Sequence, residues 1–158
     1  MIIQTERLVI RPFEEKDKHW YYNLTRDEEF KARLPGLVVE DFNAASNDVD
    51  VFKRADFIKD FYLVIEDKNQ NAMGIIIAVS MSSKVIDVSY FLEKRYRGNG
   101  YMTEATKEFV KVVRDNCSSY VVFKFQIAKD NIASLNVVKR LGASADHITR
   151  ENDYVYYF

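Results

Sequence analysis

Residues 90–105 read YFLEKRYRGNGYMTEA, and the fold turns on how this stretch changes character. Its first residues close an alternating, strand-like run from Val85 to Leu92. From Met102 the apolar residues Met102, Ala105, Phe109, Val112 and Val113 recur at i, i+3, i+4, the spacing of an amphipathic helix reaching about Asp115. Between the two stand Gly98 and Gly100. The chain has five glycines in 158 residues, below the usual ~7 %, so two of them one residue apart imply backbone work that a side chain would obstruct. Glycine takes positive φ without strain and lets a ligand approach the main chain. The N–H groups of Gly98 to Met102 would be among the unpaired donors at a helix start, where the dipole also favours negative charge. With Arg95 and Arg97 beside them they would cradle a phosphate or pyrophosphate. The plainer alternative is an ordinary strand-to-helix turn with solvated arginines. The dinucleotide fingerprint is excluded because Thr103 stands where its third small residue belongs, and no Gly-Lys-Ser/Thr ending marks a P-loop.

Working outward, Phe61 to Glu66, Met73 to Ser80 and Val85 to Leu92 are strand-like runs. Short polar turns at 68–71 and 82–84 separate them, so an antiparallel meander is expected. Upstream, Arg7 to Phe13 alternates and ends near Pro12, a first strand. Lys16 to Thr25 has helical spacing through Trp20, Tyr21 and Leu24. Pro35 to Asp50 is expected to be loop or short helical turns, and Val51 to Lys59 a helix with Phe52, Ala55 and Ile58 on one face. Downstream, Tyr120 to Ala128 is a strand with Val121, Phe123, Phe125 and Ile127 on one face. Asp130 or Asn131 caps a helix through Ile132, Leu135, Val138 and Leu141, closed by Gly142. Ala143 to Arg150 and Tyr154 to Phe158 form a final hairpin around residues 151–153. The fold class is α+β: a mixed, mostly antiparallel sheet with helices packed on it, in one domain over residues 1–158.

Charge and composition narrow the function classes. The chain carries 23 basic and 24 acidic residues, so no general field draws nucleic acid or an anionic membrane, and neither is an expected partner. Cys117 is the single cysteine and His19 and His147 the only histidines; no disulfide is expected, nor a metal site, and Cys117 is given no catalytic role. The opening MIIQTERLVIRPF is broken by Glu6, Arg7 and Arg11 and has no signal-peptide core. No run reaches the ~18 apolar residues of a membrane span. A cytoplasmic setting follows.

On these residues the chain resembles the GNAT N-acetyltransferases. RYRGNG matches the family's Gln/Arg-x-x-Gly-x-Gly/Ala pyrophosphate loop, and residues 90–105 as a whole are similar to the branch containing the ribosomal-protein N-terminal acetyltransferases. NIASLNVVKRLGA (Asn131 to Ala143) resembles that branch's Asn-x-x-Ser helix ending in Leu-Gly. TERLVIRPF (Thr5 to Phe13) resembles its first strand. The resemblance implies a GNAT fold whose central sheet is splayed to admit acyl-CoA. It implies acetyl-CoA as cosubstrate, with no metal, and an amine acceptor, either a protein N-terminus or a small molecule. Oligomeric state stays open, a homodimer included.

By the same likeness, the cosubstrate is held by Arg95, Arg97, Gly98, Asn99, Gly100, Tyr101 and Met102. Phe91 and Leu92 match the strand positions that pair with pantetheine, and Asn131 and Ser134 match the helix residues beside pantetheine and thiol. Attack by an amine needs a base to take its proton, a donor for the tetrahedral oxyanion and, usefully, a proton for the departing thiolate. A main-chain N–H near Leu92 is the family-like oxyanion donor. Many members use a tyrosine in the last helix as acid, but Val138 stands there; Ser134 is the candidate instead, set against a purely hydrogen-bonding role. Asp87 is the candidate base, with Glu151 and Asp153 as rivals. Tyr90 could wall the acceptor pocket, while His19 and Trp20 are expected as packing residues. An acyl-CoA-binding module of the same fold without turnover is the alternative function.

Overall fold

The computed structural model describes residues 1–57, 60–116 and 121–158. The chain opens with β1 (Ile3–Gln4) and β2 (Leu8–Pro12), then α1 (Lys18–Thr25), α2 (Glu28–Arg33) and α3 (Phe42–Phe52). The meander β3 (Asp60–Asp67), β4 (Ala72–Ser80) and β5 (Val85–Leu92) follows, and then α4 (Tyr101–Asn116), β6 (Val122–Ala128), α5 (Ile132–Leu141), β7 (Ser144–Ile148) and β8 (Asp153–Tyr157). Among the described residues the eight strands form one sheet in the order β1-β2-β3-β4-β5-β6-β8-β7. Every neighbouring pair is antiparallel except β5 with β6. This is the α+β sheet that the alternation of periods predicts.

Helices cover both faces because each sheet face is apolar. On one face α4 and α5 bury Phe109, Val113, Leu135 and Val138 against Ile76, Phe123 and Phe125. On the other, Tyr21, Phe30, Val49 and Phe52 close over Val64, Ile75, Ile77 and Phe91. A buried ion cluster fastens β2 to this second layer. Arg11, 4 % exposed, donates from Nε to Glu66 at 2.8 Å and from Nη1 to Asp17 at 2.7 Å.

The region between β2 and β3 departs from expectation. The stretch 35–50 follows the expectation only in its first part, a 3-10 turn at Pro35–Leu37 and the loop after it; α3 begins at Phe42, with the Asp41 side chain accepting from the Ala44 N–H at 2.8 Å, and buries Ala45, Val49 and Phe52. The helix expected over Val51 to Lys59 does not form: Val51 and Phe52 are helical only as the last residues of α3. The chain leaves helical geometry after Phe52, and Phe57 takes φ +52°, a value no helix accommodates. The apolar spacing of Phe52 and Ala55 is coincidental; Ile58 and Lys59 lie outside the described residues. Two elements were not foreseen, β1 and α2. The latter is six residues long, too short to show a period, but Asp27 marks its start by accepting from Glu29 N and Phe30 N, each at 2.9 Å. In the second half, Asn131 is the cap of α5, accepting from Ser134 N at 3.2 Å. The expected starting residue of β6, Tyr120, and Cys117 lie outside the described residues.

Candidate active site

The sheet itself makes the cleft. β5 and β6 pair only at Val85↔Val122, Ile86↔Phe123 and Asp87↔Lys124, so from Val88 onward β5 has no strand on that side. The two strands run parallel and diverge towards their C-terminal ends, which opens a cleft of about 320 Å³ walled by β5, the glycine loop, α5 and α2. Phe91, Leu92, Arg97, Gly98, Gly100, Tyr101, Met102, Asn131 and Ser134 all line it. Residues brought together from three sequence segments thus share one surface, as the resemblance requires.

A constraint in β4 orients the open strand edge. The register with β3 skips Met73, leaving it as a bulge, and Gly74 follows opposite Leu92. A Cβ on Gly74 would lie 2.3 Å from the Phe91 carbonyl oxygen and 3.0 Å from Leu92 Cα. The Phe91 carbonyl therefore points at β4, and because a trans peptide sets C=O and N–H in opposite directions, the Leu92 N–H points away from β4 into the splay. That is the orientation an oxyanion donor needs.

The glycine loop has the geometry its sequence predicts. Gly98 has φ +81° and Gly100 φ +78°, in the region where only glycine is free of strain. A Cβ at Gly98 would meet nothing within 4 Å, so conformation, not space, demands the residue. Among the described residues, the main-chain N–H groups of Gly98 to Thr103 find no acceptor. They open α4 as an unsatisfied row of donors, one residue longer than the sequence suggests.

The arginines are placed differently from expectation. Arg95 lies outside the cleft, paired with Glu93 at 2.9 Å and stacked on Tyr96. Arg97 lines the cleft, but its guanidinium folds back over the Phe91 ring. Nε donates to the Leu92 carbonyl at 2.8 Å, and Nη1 meets Glu29 of α2 at 2.5 Å. A second pair from α2, Arg33 with Asp130 at 2.8 and 3.1 Å, reaches the loop before α5. Helix α2 thus spans the cleft mouth on two partly exposed ion pairs, each worth little in water. Asn99 lies off the cleft wall; its side chain caps the carbonyls of Tyr96 and Arg97.

The reading missed a third arginine. Arg7, just before β2, donates from Nε to Glu104 at 2.7 Å and from Nη1 to the Asn99 carbonyl at 3.0 Å, and lies 4.6 Å from the Tyr101 ring. Thr5 Oγ1 donates to the same Glu104 carboxylate at 2.5 Å. Burial opposes the charge on Glu104, but hydrogen bonds from Thr5 and Arg7 outweigh it and hold the carboxyl below its usual value of 4.5. Nothing in the local pattern of TERL signals a contact 97 residues away.

At the deep end of the cleft, the Tyr90 phenol donates to the Ser134 carbonyl at 3.2 Å, and burial pushes its pKa upward, so it stays a neutral donor. The half-buried Ser134 lines the cleft, and its hydroxyl has no protein partner among the described residues. Val138 is fully buried in the core, so no side chain from that position reaches the cleft. Asp87 stands at the last rung joining β5 to β6, the vertex of the splay, and pairs with Lys124 at 2.9 Å. Asp153 is bonded to Gln126 at 3.0 Å, and Glu151 is exposed; neither of these nor Asp87 lines the cleft. The carboxylate that does is Glu29. Trp20 donates to Glu93 at 2.7 Å and His19 stacks on Phe42. Among the described residues no group of three or more His, Cys, Asp or Glu side chains could hold a metal, and no helix is long and apolar enough to cross a membrane.

The model of the acetyltransferase (GNAT) domain matches residues 7–144. No curated protein matches the sequence. Among solved structures, the chain is similar to a GNAT-family acetyltransferase from Bacillus anthracis (TM-score 0.81, 21 % identity, 99 % of this chain and 96 % of that one). It is also similar to RimL, the ribosomal L7/L12 alpha-N-protein acetyltransferase, in complex with coenzyme A (0.82, 15 %, 99 % and 95 %). A third is spermidine N-acetyltransferase from Vibrio cholerae with CoA and spermine (0.78, 14 %, 97 % and 94 %). At these identities the likeness is one of fold.

Proposed function

The chain belongs to the GNAT acetyltransferase family, and from that premise we propose that it transfers the acetyl group of acetyl-CoA to a primary amine by direct attack in a ternary complex. The observation that carries this reading is the row of acceptor-free N–H groups at Gly98 to Thr103 beside an open strand edge. Together they fit a diphosphate followed by a pantetheine arm, because the first needs anion donors and the second a strand-like partner. The solved relatives that hold CoA support the same cosubstrate.

When bound, acetyl-CoA supplies an activated thioester. The chain's own groups divide the remaining work. Gly98, Gly100, Tyr101 and Met102 hold the diphosphate through their N–H groups, with Asn99 and Arg95 shaping the loop from outside. Phe91 and Leu92 offer the strand edge, and the Leu92 N–H receives the developing oxyanion. Asn131 holds the start of α5, so that the Ser134 hydroxyl faces the cleft and donates to the departing sulfur, in the role that Val138 cannot fill. Asp87, at the vertex, takes the amine proton through water, with Lys124 holding its carboxylate in place. Residues 1–158 act as one domain, and the lone cysteine fits a cytoplasmic setting.

The acceptor is a protein N-terminus or a small amine; relatives named for a ribosomal protein and for spermidine support an amine in general. The buried Val138 favours the second reading, an acyl-CoA-binding module without turnover. Isothermal titration of acetyl-CoA into the protein and into Gly98→Val, combined with an amine screen read by free-thiol release, tests both. Binding lost in Gly98→Val and acceptor-dependent thiol release are expected. Equal affinity in the two proteins would refute the assigned site, and binding without thiol release from any amine would leave the module.

A further inference from the structure

The donors at Gly98 to Thr103 are useful only if they point the same way, and one peptide among them is poorly fixed by its own sequence. The plane between Asn99 and Gly100 rotates about Asn99 ψ and Gly100 φ. Glycine accepts either sign of φ, so a flip that turns the Gly100 N–H away from the cleft and its neighbour's carbonyl inward meets little steric resistance from the loop. The opposite side of this plane is anchored. Arg7 Nη1 donates to the Asn99 carbonyl at 3.0 Å, and with the Asn99–Gly100 peptide trans the Gly100 N–H is thereby directed away from Arg7. The guanidinium is itself immobilised by Glu104 at 2.7 Å through Nε and 2.6 Å through Nη2, and by the Tyr101 ring at 4.6 Å. Arg7 does not line the cleft.

We propose that Arg7 is a positioning residue for the cosubstrate: by holding the Asn99 carbonyl it aims the Gly100 N–H at the diphosphate. The inference rests on the acetyl-CoA reading above and deepens it. It also explains why the contact needs arginine. A planar fork reaches Glu104 and the Asn99 carbonyl at once, whereas the point charge of lysine serves one of them.

The test uses Arg7→Lys, which keeps a cation for Glu104, with CoA as the probe. Titration calorimetry gives affinity, thermal melting gives stability, and backbone amide NMR follows Gly98, Gly100 and Met102. Wild type is expected to bind CoA with all three amide resonances shifting. In Arg7→Lys the affinity should fall about tenfold, the loss expected for one misdirected charge-assisted hydrogen bond. The melting point should be held, the Gly100 shift lost and the Met102 shift retained. A variant that binds within about twofold of wild type with Gly100 responding normally overturns the proposal. So does one in which melting point and all loop amides fail together, since that makes Arg7 merely structural. If wild type itself does not bind CoA, the functional reading fails and the inference with it.

Discussion

Replacing Gly74 by alanine should damage the site from the far side of the sheet. The new Cβ would sit 2.3 Å from the Phe91 carbonyl oxygen, 3.0 Å from Leu92 Cα and 3.1 Å from Leu92 Cδ1. Two of those three atoms are backbone in the middle of a sheet, so no rotamer change relieves the clash and β5 must move. Overpacking of this kind costs about 1–3 kcal/mol, offset by about 0.4–1 kcal/mol because alanine restricts the unfolded chain. A net loss of about 1–2 kcal/mol lowers Tm by roughly 2–8 °C in a domain of this length, readable by circular dichroism. The sharper consequence is kinetic. The peptide that must shift carries both the Phe91 carbonyl and the Leu92 N–H, so the proposed oxyanion donor moves with it. Complete loss of such a donor costs ~10²–10³ in kcat, so a misaimed one should lower kcat by roughly tenfold or more, with the KM for acetyl-CoA little changed. An alanine variant with wild-type Tm and full turnover of an acceptor found in the amine screen would refute the geometry.

Three further expectations follow from other parts of the molecule. Arg11→Met strands the buried carboxylates of Asp17 and Glu66, and urea unfolding should register a loss of about 3–5 kcal/mol; a loss under about 1 kcal/mol would show the cluster to be dispensable. Glu104 has a folded-state pKa held below its usual value of 4.5, so it contributes stability that is fully present above that value and lost as pH falls through the folded value. The stability gap between wild type and Glu104→Gln should accordingly be constant at neutral pH and close in acid; a gap that widens on acidification would contradict the assigned bonds. Asp87→Asn should lower turnover in the thiol-release assay while leaving CoA affinity intact by calorimetry; unchanged turnover assigns proton removal elsewhere.

Much of the architecture is legible in the sequence because the switch from alternating to helical spacing at residues 90–105 is sharp, and because the Gly98–Gly100 pair demands a conformation that the structure supplies. Where several weak signals overlap, the reading slips. The spacing of Phe52 and Ala55 imitates a helix, but Asp41 and the burial of Ala45 and Val49 fix the real one earlier in the chain. Within the site, local motifs locate Ser134 and the loop. The partners of Arg97 and Arg7 depend on α2 and on the turn between β1 and β2, which only tertiary packing brings alongside. Gly74 was within reach, since a lone glycine inside an apolar strand often marks a close backbone approach. Arg95, beside the loop in sequence, is drawn off by Glu93, a competition that spacing alone does not reveal.

The three rungs that join β5 to β6 also divide the sheet mechanically. Five strands lie on one side of that seam and three on the other, and among the described residues only the two-rung edge pair β1–β2 is joined by a narrower band of main-chain pairing. Amide hydrogen exchange should therefore resolve two cooperative units, with β6 and β8 opening apart from β3 and β4. A cosubstrate lying along the diverging edges would act as a rivet across the seam, so its saturation should slow exchange on both sides together and couple the occupancy of the cleft to the cohesion of the whole sheet.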